Sequence, residues 1–99
     1  MPARVMVFAQ IRPDDRRAFE EAYAKVSATV AGTPGHVRDE LLRSEDDLGA
    51  YVLLSEWESR EAFLDWEDAP IHRQATTPMR PFWQGRVERR IYESAERAA

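Results

Sequence analysis

The chain has 99 residues, of which 43% are hydrophobic and 10% aromatic, with no cysteine and a formal net charge of −4. This length and composition are typical of one folded domain, over residues 1–99. The lack of cysteine excludes disulfides and thiolate sites, and the mixed charges lack the clustered basic face that nucleic-acid binding needs. No run approaches the roughly 18 apolar residues of a membrane span. Because the N-terminus also lacks a signal-peptide pattern, we expect a cytoplasmic protein.

The first predicted elements are a strand over residues 4–12 and a helix over residues 14–31. One face of the strand carries Val5, Val7, Ala9 and Ile11. The opposite face, with Met6 and Phe8, is also apolar. Asp14 and Asp15 follow Pro13 and suit a helix N-cap. The helical stripe of apolar residues comprises Phe19, Ala22, Tyr23, Val26 and Val30.

Two antiparallel strands are predicted next, over residues 36–44 and 50–57, joined by a polar turn at 45–49. The second of these strands is apolar on both faces. Its Tyr51 and Leu53 alternate with apolar residues of the other face. An apolar pattern on both faces predicts a strand that is covered on both sides.

The remaining chain predicts a second helix, a short helix and a last strand. Ser59 suits the N-cap of the second helix, which is broken near Pro70. The predicted elements after this break are a short helix over 70–78, an irregular stretch around Pro78 and Pro81, a strand over 85–93 and a polar, frayed tail over 94–99.

The order of these elements is β-α-β-β-α-β, which predicts an α+β fold of ferredoxin-like type with a four-stranded antiparallel sheet. Two helices cover only one face of such a sheet. The other face, bearing Met6 and Phe8, would leave a large apolar surface exposed, so we expect a homodimer joined through it.

Three stretches of this sequence resemble the antibiotic biosynthesis monooxygenase (ABM) domain family. They are Thr33-Pro34-Gly35, the run Ser55-Glu56-Trp57-Glu58-Ser59-Arg60-Glu61-Ala62-Phe63, and Trp66 followed by Pro70-Ile71-His72. The resemblance extends over about residues 4–93. It implies a dimeric α/β barrel, with a pocket between the helices and the sheet of each subunit.

The family has a branch of heme-degrading monooxygenases and a branch of cofactor-independent monooxygenases that form quinones in polyketide pathways. In the heme branch, the Trp and helix-one aromatic positions correspond to Trp66 and Tyr23. The Asn of strand one is replaced by Val7, and His72 lies closer to Trp66 than the family's ligand does. These departures weaken the heme interpretation.

The resemblance to the second branch implies oxidation of a polycyclic phenol by dioxygen without a cofactor. His72 is the candidate base, with Trp66 as the second catalytic residue. The predicted substrate-binding residues are Tyr23, Phe63, Tyr51, Val7, Arg73 and Arg80. Either arginine could stabilise a phenolate. The absence of Asn, which this branch also places against its substrate, leaves a second hypothesis open: a non-catalytic or accessory protein that binds a hydrophobic ligand.

Other chemistry finds little support in the sequence. Two isolated histidines do not predict a metal site, and no glycine-rich loop suggests flavin or NAD. We expect His36 to cap a strand end and Trp57 to belong to the core.

Overall fold

The computed structural model describes residues 2–96. The strands are β1 (Ala3–Gln10), β2 (His36–Arg43), β3 (Ala50–Trp57) and β4 (Glu88–Glu93), and the helices are α1 (Arg16–Val30), α2 (Arg60–Asp68) and α3 (Pro70–Thr76). This is the predicted ferredoxin-like α+β fold, with α3 as an added short helix. The last three residues of the predicted polar tail, 97–99, lie outside the described residues.

The four strands form one antiparallel sheet in the order β2-β3-β1-β4. In its register, Val5 lies between Ser55 of β3 and Ile91 of β4. Residues paired across antiparallel strands share a face, so the odd-numbered residues of β1 and β3 lie together under the helices. We call this side the helix-covered face.

The first strand ends two residues earlier than predicted. Ile11 leaves the ladder and forms an isolated bridge with Trp83. Its backbone N–H donates to the Gly49 carbonyl at 2.7 Å. Gly49 has a φ of 101°, and a Cβ there would collide with the Ile11 carbonyl oxygen. The close contact between two turns therefore requires glycine and directs the chain away from the sheet.

Helix α1 begins close to the predicted residue, but the predicted N-cap interaction is absent. A 3₁₀ turn over Pro13–Asp15 precedes the helix, and the Asp15 side chain makes no capping hydrogen bond. It instead forms an ion pair with Arg12 at 2.9 Å. Along α1, the buried residues are Phe19, Ala22, Val26 and Val30, as the helical stripe predicts.

In the second half of the helical layer, the prediction is confirmed at the start of α2 but not in the stretch after α3. Ser59 caps α2 by accepting a hydrogen bond from the Ala62 N–H at 3.1 Å, as predicted. The stretch around Pro78 and Pro81, expected to be irregular, is a 3₁₀ helix over Thr77–Phe82. Pro78 fits there because a 3₁₀ helix leaves its first N–H groups unpaired, whereas Pro81 lies inside this helix.

The core lies between this helical layer and the helix-covered face. Trp57, Phe19, Ile11 and Val5 are the largest fully buried side chains. The expectation that Trp57 belongs to the core is therefore confirmed.

The other side of the sheet has no cover in the described residues, and we call it the open face. Its apolar residues are Met6, Phe8, Leu42, Val52 and Leu54, which follow one another in the strand register. Phe8 is 37% exposed. The two-sided apolar pattern predicted for β1 and β3 is thus present.

Candidate functional site

A cavity of about 260 Å³ lies between the helices and the helix-covered face. Its floor comes from the odd-numbered residues of β1 and β3, including Val5, Val7 and Leu53. Most of its surface is apolar. A cavity of this kind, with a few convergent polar groups, is the usual form of a small-molecule site.

Three aromatic side chains form one side of the cavity, and we call Trp57, Phe63 and Trp66 the aromatic wall. The ring centroids of Trp57 and Trp66 lie 5.4 Å apart, and those of Trp57 and Phe63 lie 5.6 Å apart. Trp57 comes from the end of β3, whereas the other two lie one turn apart on α2. The rings are inclined to one another by 30° and 67°, so the wall is apolar and aromatic but not flat.

His72 lies at one edge of the aromatic wall. Its ring is edge-on to Trp66, with centroids 4.4 Å apart and an interplanar angle of 85°. Pro70 begins α3 two residues earlier, and this helix directs His72 toward the cavity. Burial lowers the pKa of His72, and the charge of Arg80 lowers it further, while Glu67 acts in the opposite direction. His72 is therefore a neutral base at neutral pH.

Two arginines reach the same part of the cavity. The Arg80 guanidinium donates to the Thr76 hydroxyl at 2.9 Å and lies 5.4 Å from the ring centre of Trp83. Arg89, on β4, forms a two-point hydrogen bond with Glu67 at 2.7 and 3.0 Å. This pair joins α2 to the sheet beside the cavity.

A second polar cluster lies against Trp57. His36 stands edge-on to that ring, with centroids 5.1 Å apart. Its Nε2 lies 3.2 Å from the Asp39 carboxylate, whose other oxygen accepts a hydrogen bond from Tyr23. Burial, and then the hydrogen bond with Asp39, raise the pKa of Tyr23, so its hydroxyl stays protonated. All three residues line the cavity.

Gly35 accounts for the position of His36. It has a φ of 85°, and a Cβ at this position would collide with Ala62 of α2. The carbonyl of Gly35 also accepts the Glu58 N–H at 2.8 Å. Because only glycine allows this approach, the start of β2 packs directly on α2 and brings His36 against the aromatic wall.

The antibiotic biosynthesis monooxygenase family model matches residues 2–77 of this chain, which include the aromatic wall and both histidines. The chain belongs to this family. Protein SchA of Streptomyces halstedii is 32% identical over 99 residues, covering 97% of the chain and 26% of that protein. The 42.8 kDa protein in the whiE locus of Streptomyces coelicolor is 33% identical over 76 residues, covering 77% of the chain and 19% of that protein. The chain thus spans about a quarter or less of the length of these curated relatives.

The fold of this ABM chain is also found in solved structures. SnoaB of Streptomyces nogalater, described as a cofactor-independent oxygenase, superposes with a TM-score of 0.76 at 26% identity. The match covers 97% of this chain and 94% of that one. The likeness therefore extends through the whole sheet and its helices.

Six of the eight predicted site residues of this ABM chain line the cavity. They are Val7, Tyr23, Phe63, Trp66, His72 and Arg80. Two predicted residues do not line it. Tyr51 packs edge-on against Phe19 in the core, and its hydroxyl donates to Glu20 at 2.5 Å. Arg73 follows His72 directly on α3 and therefore points about 100° around the helix from it.

Other residues of the cavity were not predicted, notably Asp39, Glu67 and Arg89, and His36, which does begin a strand, was not expected to line the cavity. His36 does not simply cap a strand end, because its side chain is buried against Trp57. The glycine before it was the available signal, since Gly35 marks a close approach of backbone to another element. Nothing local distinguished Asp39 or Glu67 from surface acids.

Two features of the cavity weaken the fit of a bound heme. Val7 lines the cavity with an apolar side chain, so it offers no hydrogen bond where the heme branch has Asn. The His72 ring is packed against Trp66. Within residues 2–96, no group of three or more His, Cys, Asp or Glu side chains could hold a metal ion. In the same range, no helix is long and apolar enough to cross a membrane.

Proposed function

We propose that this ABM domain is a cofactor-independent monooxygenase that oxidises a polycyclic aromatic phenol with dioxygen, in antibiotic or other secondary-metabolite biosynthesis. The observation that carries the proposal is the contact of His72 with Trp66 at the edge of an apolar cavity. It supports the proposal because a neutral imidazole lies against an aromatic ring that a planar substrate can contact.

Binding comes first in this reaction. A planar substrate lies against Trp66 and Phe63, with apolar residues of β1 and β3 beneath it. Contact between aromatic rings is worth about 0.5–1.5 kcal/mol beyond the burial of area. The cavity also removes the reacting carbon from bulk water, which strengthens each electrostatic contact made inside it.

The proton step follows from the position of His72. Its imidazole accepts the proton of the substrate hydroxyl, so that an O–H bond breaks and an N–H bond forms. The product is a phenolate beside an imidazolium. Arg80 lies close enough to lower the pKa of His72, and it stabilises the phenolate through its permanent charge.

The phenolate is the reductant of dioxygen. It transfers one electron to O₂, and the two radicals combine to a peroxide at the activated ring carbon. The peroxide anion takes the proton back from the His72 imidazolium, and the resulting hydroperoxide loses water as its O–O bond and the C–H bond of that carbon break and a C=O bond forms. Relative to the keto tautomer of the substrate, a CH₂ group becomes a carbonyl, one oxygen atom enters the product and the other leaves as water. No external reductant is needed, because the substrate supplies all the electrons.

The comparisons support this proposal by similarity. SnoaB is described as a cofactor-independent oxygenase. SchA and the whiE-locus protein are Streptomyces proteins that contain a region similar to this chain. The activity of any longer protein that includes this chain belongs to the same proposal.

We also propose that two copies of the chain associate through the open face into a dimeric α/β barrel. The apolar centre of this face is bordered by ion pairs, including Arg4 with Glu56 at 3.6 Å and Arg90 with Glu88 at 2.5 Å. An apolar centre with a charged rim is typical of protein interfaces.

Oxygen uptake with anthrone-type phenols, without added flavin or metal, tests the proposed activity. Replacing His72 with Gln should lower the rate by about 10²–10⁴, which is the usual effect of removing a general base. Glu45→Gln, in the exposed turn between β2 and β3, is the control and should keep the rate. Full activity of His72→Gln would refute the role of the base.

The ligand-binding hypothesis is tested in the same experiment. If the wild type binds such phenols but consumes no oxygen with any of them, the protein is a non-catalytic binder. Trp66→Ala should weaken binding in either case, because it removes the middle of the aromatic wall.

A further inference from the structure

The cavity contains a polar group that the proposed oxygenation does not use. His36 contacts Trp57, Trp57 contacts Trp66, and Trp66 contacts His72. The two histidines therefore lie at the two ends of one chain of ring contacts. Both histidines line the same cavity, so one ligand bound there can contact both.

His36 is an incompletely satisfied residue. Its side chain is only 6% exposed, and its buried Nε2 has no hydrogen-bond partner, although the Asp39 carboxylate lies 3.2 Å away. Buried polar atoms are nearly always paired in folded proteins. Nε2 of His36 thus lies beside Oδ1 of Asp39 without a well-aligned hydrogen bond, so a better-aligned partner can still bind there.

The groups around Nε2 of His36 determine which hydrogen bonds a ligand group there must make. Tyr23 stays protonated and occupies one oxygen of the Asp39 carboxylate, so the other oxygen is still able to accept a hydrogen bond. The tautomer with its N–H at Nε2 suits this position, because the Asp39 oxygen 3.2 Å away offers lone pairs and no proton. The site therefore presents a donor beside an acceptor.

A hydroxyl is the simple group that both accepts and donates a hydrogen bond. We propose that His36 and Asp39 form a second subsite, which binds a hydroxyl of the aromatic ligand. The hydroxyl donates to Asp39 and accepts from the Nε2 N–H of His36, with a small adjustment of the two side chains. This inference rests on the proposed function. The substrate is then a polycyclic aromatic with a hydroxyl at each end, one at His72 and one at His36.

Hydroxyanthraquinones test this subsite without turnover, because they are already oxidised. Three probes are compared by tryptophan fluorescence: one with a hydroxyl on each outer ring, its analogue with one of these hydroxyls methylated, and one with a single hydroxyl. The first should bind about tenfold more tightly than the other two, because a methyl ether cannot donate to a carboxylate. Equal affinity of the three probes would overturn the proposal.

The variant Asp39→Asn tests whether the preference for the second hydroxyl depends on the Asp39 carboxylate. This variant keeps the size of the side chain and an acceptor oxygen but removes the charge, so the ratio between the first two probes should fall from about tenfold to about threefold, because hydrogen bonds to a charged acceptor are about twice as strong as those to a neutral one. Asp47→Asn, in the exposed turn after β2, is the matched control and should keep the full ratio. If Asp39→Asn weakens all three probes equally, the residue is structural and the subsite is wrong.

The outcomes also separate this subsite from the oxygenase activity. A clear hydroxyl preference in a protein that consumes no oxygen with any phenol would retain the subsite and refute the oxygenase. Oxygen uptake without a hydroxyl preference would do the reverse. If no probe binds, the subsite is refuted, and the oxygenase is judged by oxygen uptake alone.

Discussion

The two faces of the sheet are formed by the same strands but have different surroundings. On the helix-covered face, Val5 and Trp57 are buried in the core and also line the cavity. On the open face, Phe8 lies next to Val52 in the register with no cover from the described chain. The difference shows that an apolar residue in a strand identifies neither a site nor an interface until the layer above it is known.

The largest effect is expected from a charge on the open face. Phe8→Glu should convert the proposed dimer into a monomer, because an unpaired charge buried in an interface costs several kcal/mol. Light scattering should then give the chain mass of 11.4 kDa, against twice that value for the wild type. Leu48→Glu is the control, since Leu48 is exposed in a turn. A monomeric wild type at micromolar concentration would contradict the prediction.

A truncation on the helix-covered face should cost folding stability instead. Trp57→Ala removes a ring that is 1% exposed and contacts three other rings, so the free energy of unfolding should fall by about 3–5 kcal/mol. Urea titration measures it. Leu42→Ala, on the open face, should cost about 1 kcal/mol or less at a concentration where the protein is monomeric. Equal losses would show that the two faces are equally buried.

The hydrogen bond between Tyr51 and Glu20 provides a smaller test on the helix-covered face. Its formation is the main cause that lowers the pKa of Glu20, so its contribution to stability is present above the ordinary glutamate value of about 4.3 and is lost as pH falls through the lower, folded value. Tyr51→Phe should lower the free energy of unfolding by about 1 kcal/mol at pH 7 and by less in acid. Denaturation at both pH values measures this. A loss that does not change with pH would exclude the ionised carboxylate as its origin.

The smallest effect concerns His72 within the cavity. Because its folded pKa is lowered, the unfolded chain binds the proton more readily, and stability falls as pH drops through the ordinary histidine value of about 6.5. NMR titration should place the pKa of His72 below that value. Arg80→Gln should raise the pKa only in part, because burial is the larger cause. A complete return to the ordinary value would mean that the charge of Arg80 dominates.

The sequence predicted the cavity residues well where a helix or strand pattern placed them. Spacing on α2 indicated the face of Phe63 and Trp66, and alternation along β1 indicated the face of Val7. The resemblance to the ABM family implied that these faces border a pocket. The prediction failed for Tyr51, since alternation indicates only the face and not whether a side chain reaches the core or the cavity. It failed for Arg73 because the start of α3 sets the direction of each residue after Pro70.

Local pattern by itself determined the order β-α-β-β-α-β, the apolar stripe of α1, the cap at Ser59 and the two-sided character of β1 and β3. These features depend on residues close together in the chain, where the periods of helix and strand act directly. Only the tertiary structure decided that His36, Asp39 and Tyr23 meet, because they come from two elements whose distance depends on packing against the sheet. The contact of His36 with Trp57 likewise requires Gly35 to touch Ala62, which no local pattern specifies. The polar chemistry of the cavity was therefore set by long-range packing, whereas its apolar walls were readable from the sequence.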